Sequence, residues 1–110
     1  MGKGRELGIY LNKISGTTLV PANKKITAVV GRFTTITAVI LDEYNRVKSQ
    51  FSYDGEFLGA DQLQNNLIIK TSTGIRQIKK NQVIGFVQND KIQLEPGGSI
   101  ERIPDIKEGK

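Results

Sequence analysis

The 110-residue sequence contains neither cysteine nor histidine. Without cysteine, disulfide frameworks, thiolate metal sites and cysteine nucleophiles are excluded, and a cytosolic setting is favoured over a secreted one. Without histidine, the chain lacks the usual general base near neutral pH and the commonest zinc ligand. We therefore expect a protein that is not an enzyme and that uses no cofactor or metal.

Long apolar segments are also missing from the sequence. No apolar run approaches the ~20 residues that a membrane-spanning helix needs. The positive charges at Lys3 and Arg5 are not followed by the apolar segment of a signal peptide. The phosphate-binding glycine motifs of nucleotide-binding loops do not occur. The absence of long apolar runs and of a signal peptide predicts a soluble, cytoplasmic protein without a membrane partner.

Acidic residues are outnumbered by basic ones. Sixteen Lys and Arg face eleven Asp and Glu, which gives a formal net charge of +5. A basic balance favours polyanionic partners such as nucleic acid, or an acidic protein surface. Many small domains carry comparable charge for solubility alone, so the charge leaves both interpretations open.

The clearest local pattern is the alternation over residues 46–53. Phe51 and Tyr53 fall on one side of this segment, and Arg46 and Lys48 fall on the other. Because side chains on a strand point to opposite faces with period two, the pattern predicts a strand with one apolar face and one polar, positive face.

The segments on either side of this strand also predict β-structure. Further strands are expected over residues 26–41, 56–58, 67–71, 75–79, 82–88 and 91–95. The first is long, and Gly31–Arg32 predicts either a turn between two strands or a bulge in one bent strand. Asp54–Gly55 predicts a tight hairpin turn. Asp61 predicts the cap of a short helix that ends near Asn65 and Asn66.

Turn signals recur about every eight to twelve residues, which indicates an all-β protein. An immunoglobulin-like sandwich is less well supported, because tryptophan and the cysteine pair are missing. We predict a small barrel, OB-like or SH3/Sm-like, with one short helical turn and a C-terminal tail. The expected organisation is a flexible N-terminus over residues 1–5, a single barrel domain over 6–95, and a Pro/Gly hinge with a tail over 96–110.

Basic residues are the main candidates for function. If strands 46–53, 67–71 and 75–79 share one sheet, their outward cations form a positive stripe that binds the phosphate backbone of DNA or RNA. The predicted members, with neighbouring cations, are Arg46, Lys48, Lys70, Arg76, Lys79, Lys80 and Arg32. Acidic residues cluster only at predicted turns, where Asp bonds its own backbone, so a carboxylate metal site is not expected.

Aromatic residues decide whether nucleic-acid bases can stack on such a surface. Phe51, Tyr53 and Phe86 are predicted to face the core. The candidate stacking platforms are Tyr10, Phe33, Tyr44 and Phe57. Tyr44 is preferred because it lies in a predicted loop beside Arg46.

An alternative function is a protein-interaction or oligomer-forming module. The strand over residues 91–95 offers a sheet edge that can pair with another chain. The tail carries Ile100, Ile103 and Ile106 at every third position, without an obvious place in a barrel. These isoleucines are therefore predicted either to contact a second copy or a larger protein assembly, or to pack on the chain's own barrel.

Overall fold

The chain folds almost entirely into antiparallel β-strands. In the computed structural model, which describes residues 5–88 and 91–94, 77% of these residues lie in strands, so the predicted all-β class is confirmed. The strands are β1 Glu6–Ser15, β2 Thr18–Val29, β3 Phe33–Leu41, β4 Val47–Asp61, β5 Asn66–Thr71, β6 Gly74–Lys79, β7 Val83–Gln88 and β8 Lys91–Leu94. A 3₁₀ helix covers Lys80–Gln82.

The strands form two sheets. β1 and β2 pair as a hairpin, called the ribbon below, and the other strands form a six-stranded sheet in the order β6-β5-β4-β3-β7-β8. β2 ends at Val29 and β3 begins at Phe33, so the long segment over residues 26–41 is two strands. Its Thr, Val and Ile side chains are branched at Cβ, which favours the extended backbone on both sides of the turn.

The ribbon packs on one face of the six-stranded sheet and is bonded to it at both ends. β1 contacts β7, and β2 contacts β4 and β8. At one end the Val47 N–H donates to the Thr17 carbonyl over 2.8 Å, and at the other the Gly31 N–H donates to the Phe57 carbonyl over 2.7 Å. We call the sheet face that meets the ribbon the inner face, and the opposite one the outer face.

The hydrophobic core lies between the ribbon and the inner face. Phe57 and Phe86 are fully buried at its centre, where their rings meet edge to face with centroids 5.3 Å apart. Phe51 and Tyr53 pack against the core while remaining partly exposed. The predicted inward orientation of Phe51, Tyr53 and Phe86 is thus confirmed, whereas Phe57 cannot serve as a stacking platform because it is buried.

A buried glutamine also ties the ribbon to the sheet. The side-chain amide of Gln88 donates to the Val29 carbonyl (2.9 Å) and to the Thr34 hydroxyl (3.0 Å). Its carbonyl oxygen accepts the Val29 N–H over 3.0 Å. The amide thereby satisfies both backbone groups of Val29, which would be costly to bury without partners.

The predicted hairpin turn at Asp54–Gly55 is wrong, because β4 runs through this position without interruption. Asp54 uses its carboxylate across the sheet, where Oδ1 accepts the Thr35 hydroxyl over 2.6 Å. Gly55 is needed for close approach: a Cβ built there would lie 2.0 Å from the Lys70 carbonyl oxygen. The absence of a side chain at Gly55 therefore allows the backbone of β5 to approach β4 closely.

The predicted short helix after Asp61 is a turn instead. Residues 62–65 connect β4 to β5, and Asn65 adopts a positive φ of 59°. Asp61 still acts as a cap, since its Oδ1 accepts the N–H groups of Leu63 (3.1 Å) and Gln64 (3.4 Å). The capping chemistry was correctly predicted, but only one turn follows before the chain returns to the sheet.

Closure into a barrel is not confirmed. Within residues 5–88 and 91–94, β6 and β8 each have a single hydrogen-bonded neighbour, so both form edges of an open sheet. This topology does not support the OB-like or SH3/Sm-like assignment. The predicted N-terminal segment except Arg5, the turn at Asn89–Asp90 and the hinge and tail over 96–110 lie outside the described residues.

Candidate functional site

Three of the predicted lysines, Lys48, Lys70 and Lys79, are exposed on the six-stranded sheet. The strand registers place Lys70 and Lys79 on the outer face, and Lys48 lies at a β-bulge where β4 shifts its register against β3. Acidic residues interrupt this group, because Glu56 is the register partner of Lys70 and Asp54 is exposed on the same face. The outer face therefore carries mixed charge rather than a continuous positive stripe.

Arg76 lies on the inner face. Its register partner is the buried Ile69, so the expectation that Arg76 and Lys70 share a face is wrong. The Arg76 guanidinium lies 5.9 Å from the centroid of the Tyr53 ring, and its Nη2 donates to the Thr73 hydroxyl over 3.0 Å. This contact places a cation on an aromatic ring that packs against the core while remaining partly exposed.

The loop between β3 and β4 presents a second aromatic–cation pair. Tyr44 is 65% exposed, and the guanidinium carbon of Arg46 lies 5.1 Å from the centroid of its ring. Arg46 Nε also bonds Asp42 Oδ2 over 3.3 Å. The ring and the carboxylate together orient the guanidinium at the protein surface. This arrangement matches the predicted pairing of Tyr44 with Arg46.

Asp42 organises this loop. Its Oδ1 accepts the backbone N–H groups of Tyr44 (2.8 Å) and Arg46 (2.9 Å). The pKa of Asp42 is lowered from 3.8, chiefly because the Arg46 N–H bonds the ionised carboxylate; desolvation opposes the shift, while the Tyr44 N–H and the Arg46 guanidinium add to it. The loop is therefore held most strongly when Asp42 is charged.

A third aromatic–cation pair lies on the ribbon, and the sequence analysis did not predict it. Tyr10 is 54% exposed, and Lys25 Nζ lies 5.8 Å from the centroid of its ring. The two residues are register partners on β1 and β2. A Cβ at Gly8 would come within 3.0 Å of Lys25 Cε, so the absence of a side chain there leaves room for the lysine. Their relation depends on the hairpin register, which the sequence pattern does not reveal.

All three tyrosines of the chain thus carry a cation over the ring. They lie on different elements: the ribbon, the β3–β4 loop and the inner face of β4. Cation–π contacts at exposed sites contribute about 0.5–1 kcal/mol each, which is too little to determine the fold. Aromatic rings and guanidinium planes are also the groups on which unpaired bases stack.

The remaining predicted site residues are scattered. Arg32 is half-buried in the turn before β3, where its carbonyl accepts the Phe57 N–H over 3.0 Å. Lys80 begins the 3₁₀ helix, and its N–H donates to the Asn65 carbonyl over 2.9 Å. Neither residue extends the surface formed by the outer-face lysines. The isoleucines at positions 100, 103 and 106 lie outside the described residues.

Among the residues that the structure describes, one stretch of β4 has no neighbouring strand on its second side. β3 pairs with β4 from Val47 to Glu56, but β5 joins β4 only from Glu56 onward. Before this stretch, Thr18 of the ribbon forms an isolated bridge with Arg46. Within the part of the chain that the structure describes, residues 48–54 therefore have one unpaired backbone edge, which we call the open stretch. Sequence periodicity predicted the strand but not its missing neighbour.

In the described part of the chain, neither a group of metal-ligating side chains nor a helix suited to a membrane is found. Over residues 5–88 and 91–94, no three His, Cys, Asp or Glu side chains are grouped so that they could hold a metal ion. In the same residues, no helix has the length and apolar character needed to cross a bilayer.

Comparison with known proteins does not identify a relative: no family model, no curated protein and no solved structure matches this chain. The functional assignment therefore has to be based on the surfaces described above.

Proposed function

We propose that this protein is a non-enzymatic nucleic-acid-binding factor that contacts single-stranded DNA or RNA through its tyrosine–cation pairs. The observation that carries the proposal is that every tyrosine lies against a lysine or arginine, with Tyr10 and Tyr44 more than half exposed. Unpaired bases stack on such rings, and the adjacent cations attract the phosphates.

The net charge of +5 supports this proposal. The proposal does not require the continuous positive stripe that the sequence analysis predicted. The exposed lysines Lys48, Lys70 and Lys79 add to the positive field but are interspersed with acidic residues. Duplexes hide the faces of their bases, so stacking favours a single strand over a duplex of the same sequence. An accessory or regulatory role in the cytoplasm remains part of the proposal.

The β3–β4 loop provides the direct test. We expect Tyr44→Ala to weaken binding of a fluorescent single-stranded oligonucleotide by roughly 5- to 150-fold, as removal of one stacking contact does. Tyr44→Phe should keep most of the affinity, because the ring is retained. Phe33→Ala is the matched control, since Phe33 is a 52%-exposed aromatic at the start of β3, whereas the loop follows the end of this strand.

Fluorescence anisotropy at low salt measures the oligonucleotide affinity of the wild-type protein and of the three variants. Circular dichroism checks that each protein is folded. Equal weakening by Tyr44→Ala and Phe33→Ala would show that the loop is not the binding site. Wild-type protein that fails to bind DNA and RNA at low salt would contradict the proposed function itself.

A second candidate function is a protein-interaction module, and the open stretch of β4 favours it. Its backbone groups lack a partner strand among the described residues, and such edges recruit extended segments by strand addition. This interpretation retains the predicted mode of interaction but moves it from the strand over residues 91–95 to β4. A pull-down in which substitutions on β4 release a bound protein would support it.

A further inference from the structure

The open stretch has the geometry of a strand-pairing surface. Both the N–H and the carbonyl of Phe57 are bonded toward Gly31 and Arg32, which lie on the β3 side of β4. Because backbone groups alternate between the two edges of a strand, those of Gln50 and Ser52 point to the other edge. That edge is unpaired among the described residues, and each residue from 48 to 54 is exposed or half-buried.

The side chains of this stretch are complementary to themselves. In an antiparallel pair with Phe51 on the two-fold axis, Gln50 lies opposite the partner's Ser52. Lys48 lies at the β-bulge where the regular part of β4 begins, so its long side chain comes near the partner's Asp54 at the end of the ladder. Opposite charges on neighbouring positions of paired strands stabilise a sheet, as do facing aromatic residues. This register also keeps Phe51 and Tyr53 on the same face in both copies, so the apolar and polar faces match.

The other fully described edge strand does not have this property. β6 carries Arg76 and Lys79 but no acidic residue. If two copies of β6 paired with Gln77 on the axis, Arg76 would lie diagonally opposite its own copy, and the like charges would repel. Lysine and arginine on an edge strand are a common protection against pairing. A second copy therefore fits β4 rather than β6.

We propose that two copies of this chain form a dimer by antiparallel pairing of their open stretches. The ladder is limited to residues 48–54, because the ribbon occupies the edge at Arg46 and β5 occupies it at Glu56. Beyond these residues the two strands diverge, since two-stranded pairings twist strongly. The dimer leaves Tyr10 and Tyr44 outside the ladder, so base stacking on these two residues does not depend on its formation.

Exchanging the charges at Lys48 and Asp54 tests this dimer. In sedimentation equilibrium, the wild-type chain should approach twice its 12.2 kDa mass with rising concentration. Lys48→Asp and Asp54→Lys should each raise the dissociation constant on the order of tenfold, because each creates two like-charge pairs across the axis. The double variant should restore dimerisation, since the charges are then opposite again. Lys79→Asp on β6 is the control and should have no effect.

Crosslinking provides a second readout that does not depend on charge. The chain has no cysteine, so a single introduced thiol reacts only with its copy. Phe51→Cys should oxidise to a covalent dimer, because opposed residues of a non-hydrogen-bonded pair have Cβ atoms about 4.5 Å apart, at the upper end of the disulfide range. Ile75→Cys on β6 should remain monomeric. A wild-type chain that stays monomeric at all concentrations, or a double charge variant that fails to recover, would overturn the proposal.

Discussion

At the scale of single residues, Asp42 shows how one carboxylate can position a candidate binding group. It accepts two backbone N–H groups and the guanidinium of Arg46, which in turn lies against Tyr44. The sequence indicated a turn at this position and an exposed aromatic next to an arginine. Both could be predicted because they depend on neighbours along the chain.

The pKa of Asp42 provides a test of this arrangement. Because the shift is downward, the charged carboxylate stabilises the folded loop above its ordinary value of 3.8, and this contribution is lost as the pH falls through the lower folded pKa. NMR titration of the Asp42 carboxyl should give a midpoint below 3.8. In Arg46→Ala the midpoint should rise only part of the way, since the backbone N–H of residue 46 remains. A complete return to the ordinary value would show that the guanidinium alone causes the shift.

Gln88 contributes to stability rather than to binding. Replacing it with leucine would leave the N–H and carbonyl of Val29 buried without their partners. We expect Gln88→Leu to lower the free energy of unfolding by about 2–4 kcal/mol, because each unpaired buried group costs about 1–3 kcal/mol. Gln50→Leu on the exposed part of β4 should change it by less than about 0.5 kcal/mol. Urea denaturation measures both, and equal effects would contradict the role given to Gln88.

At the scale of elements, periodicity predicted the strands well where alternation was regular. The strands expected over residues 67–71, 75–79, 82–88 and 91–95 correspond to β5, β6, β7 and β8. β1 and the first half of β2 were not predicted, because Gly8, Gly16 and Pro21 interrupt their pattern. The Asp54–Gly55 signal failed for a different reason: a glycine required by a distant strand resembles a turn glycine in sequence.

The close approach at Gly55 leads to a further prediction. An alanine there would place its Cβ 2.0 Å from the Lys70 carbonyl oxygen, which belongs to a rigid strand backbone. We expect Gly55→Ala to destabilise the protein by about 1–3 kcal/mol, as overpacking does. Gly8→Ala is the matched strand control, because its Cβ meets only the flexible end of Lys25. Thermal unfolding compares the two, and a Gly8→Ala variant as unstable as Gly55→Ala would contradict this explanation.

At the scale of the whole molecule, the distribution of charge was the least predictable feature. Alternation along β4 correctly placed Phe51 and Tyr53 toward the core, but a β-bulge interrupts the alternation at Lys48. The relation between Lys70 and Arg76 depends on the β5–β6 register. The register places Arg76 opposite Ile69, on the inner face. The contact between Tyr10 and Lys25 likewise arises from pairing within the ribbon. Properties that depend on pairing between strands could not be read from one strand at a time.

The positions of the two proposed binding surfaces, the tyrosine–cation pairs and the open stretch, are also a property of the whole molecule. Tyr10 and Tyr44 lie outside the open stretch of β4, whereas Tyr53 lies within it. Base stacking on Tyr10 and Tyr44 and strand pairing therefore use different parts of the molecule. Substitutions of Tyr44 should change nucleic-acid affinity without changing the dimer.

The salt dependence of binding tests the central proposal most directly. Anisotropy titrations should compare a single-stranded oligonucleotide with the duplex of the same sequence over a range of salt concentrations. We predict tighter binding of the single strand, with log affinity falling against log salt at a slope of roughly −2 to −3, as expected for three or four neutralised phosphates. Equal affinity for both forms would contradict stacking on the tyrosines, and the absence of binding at low salt would contradict nucleic-acid recognition altogether.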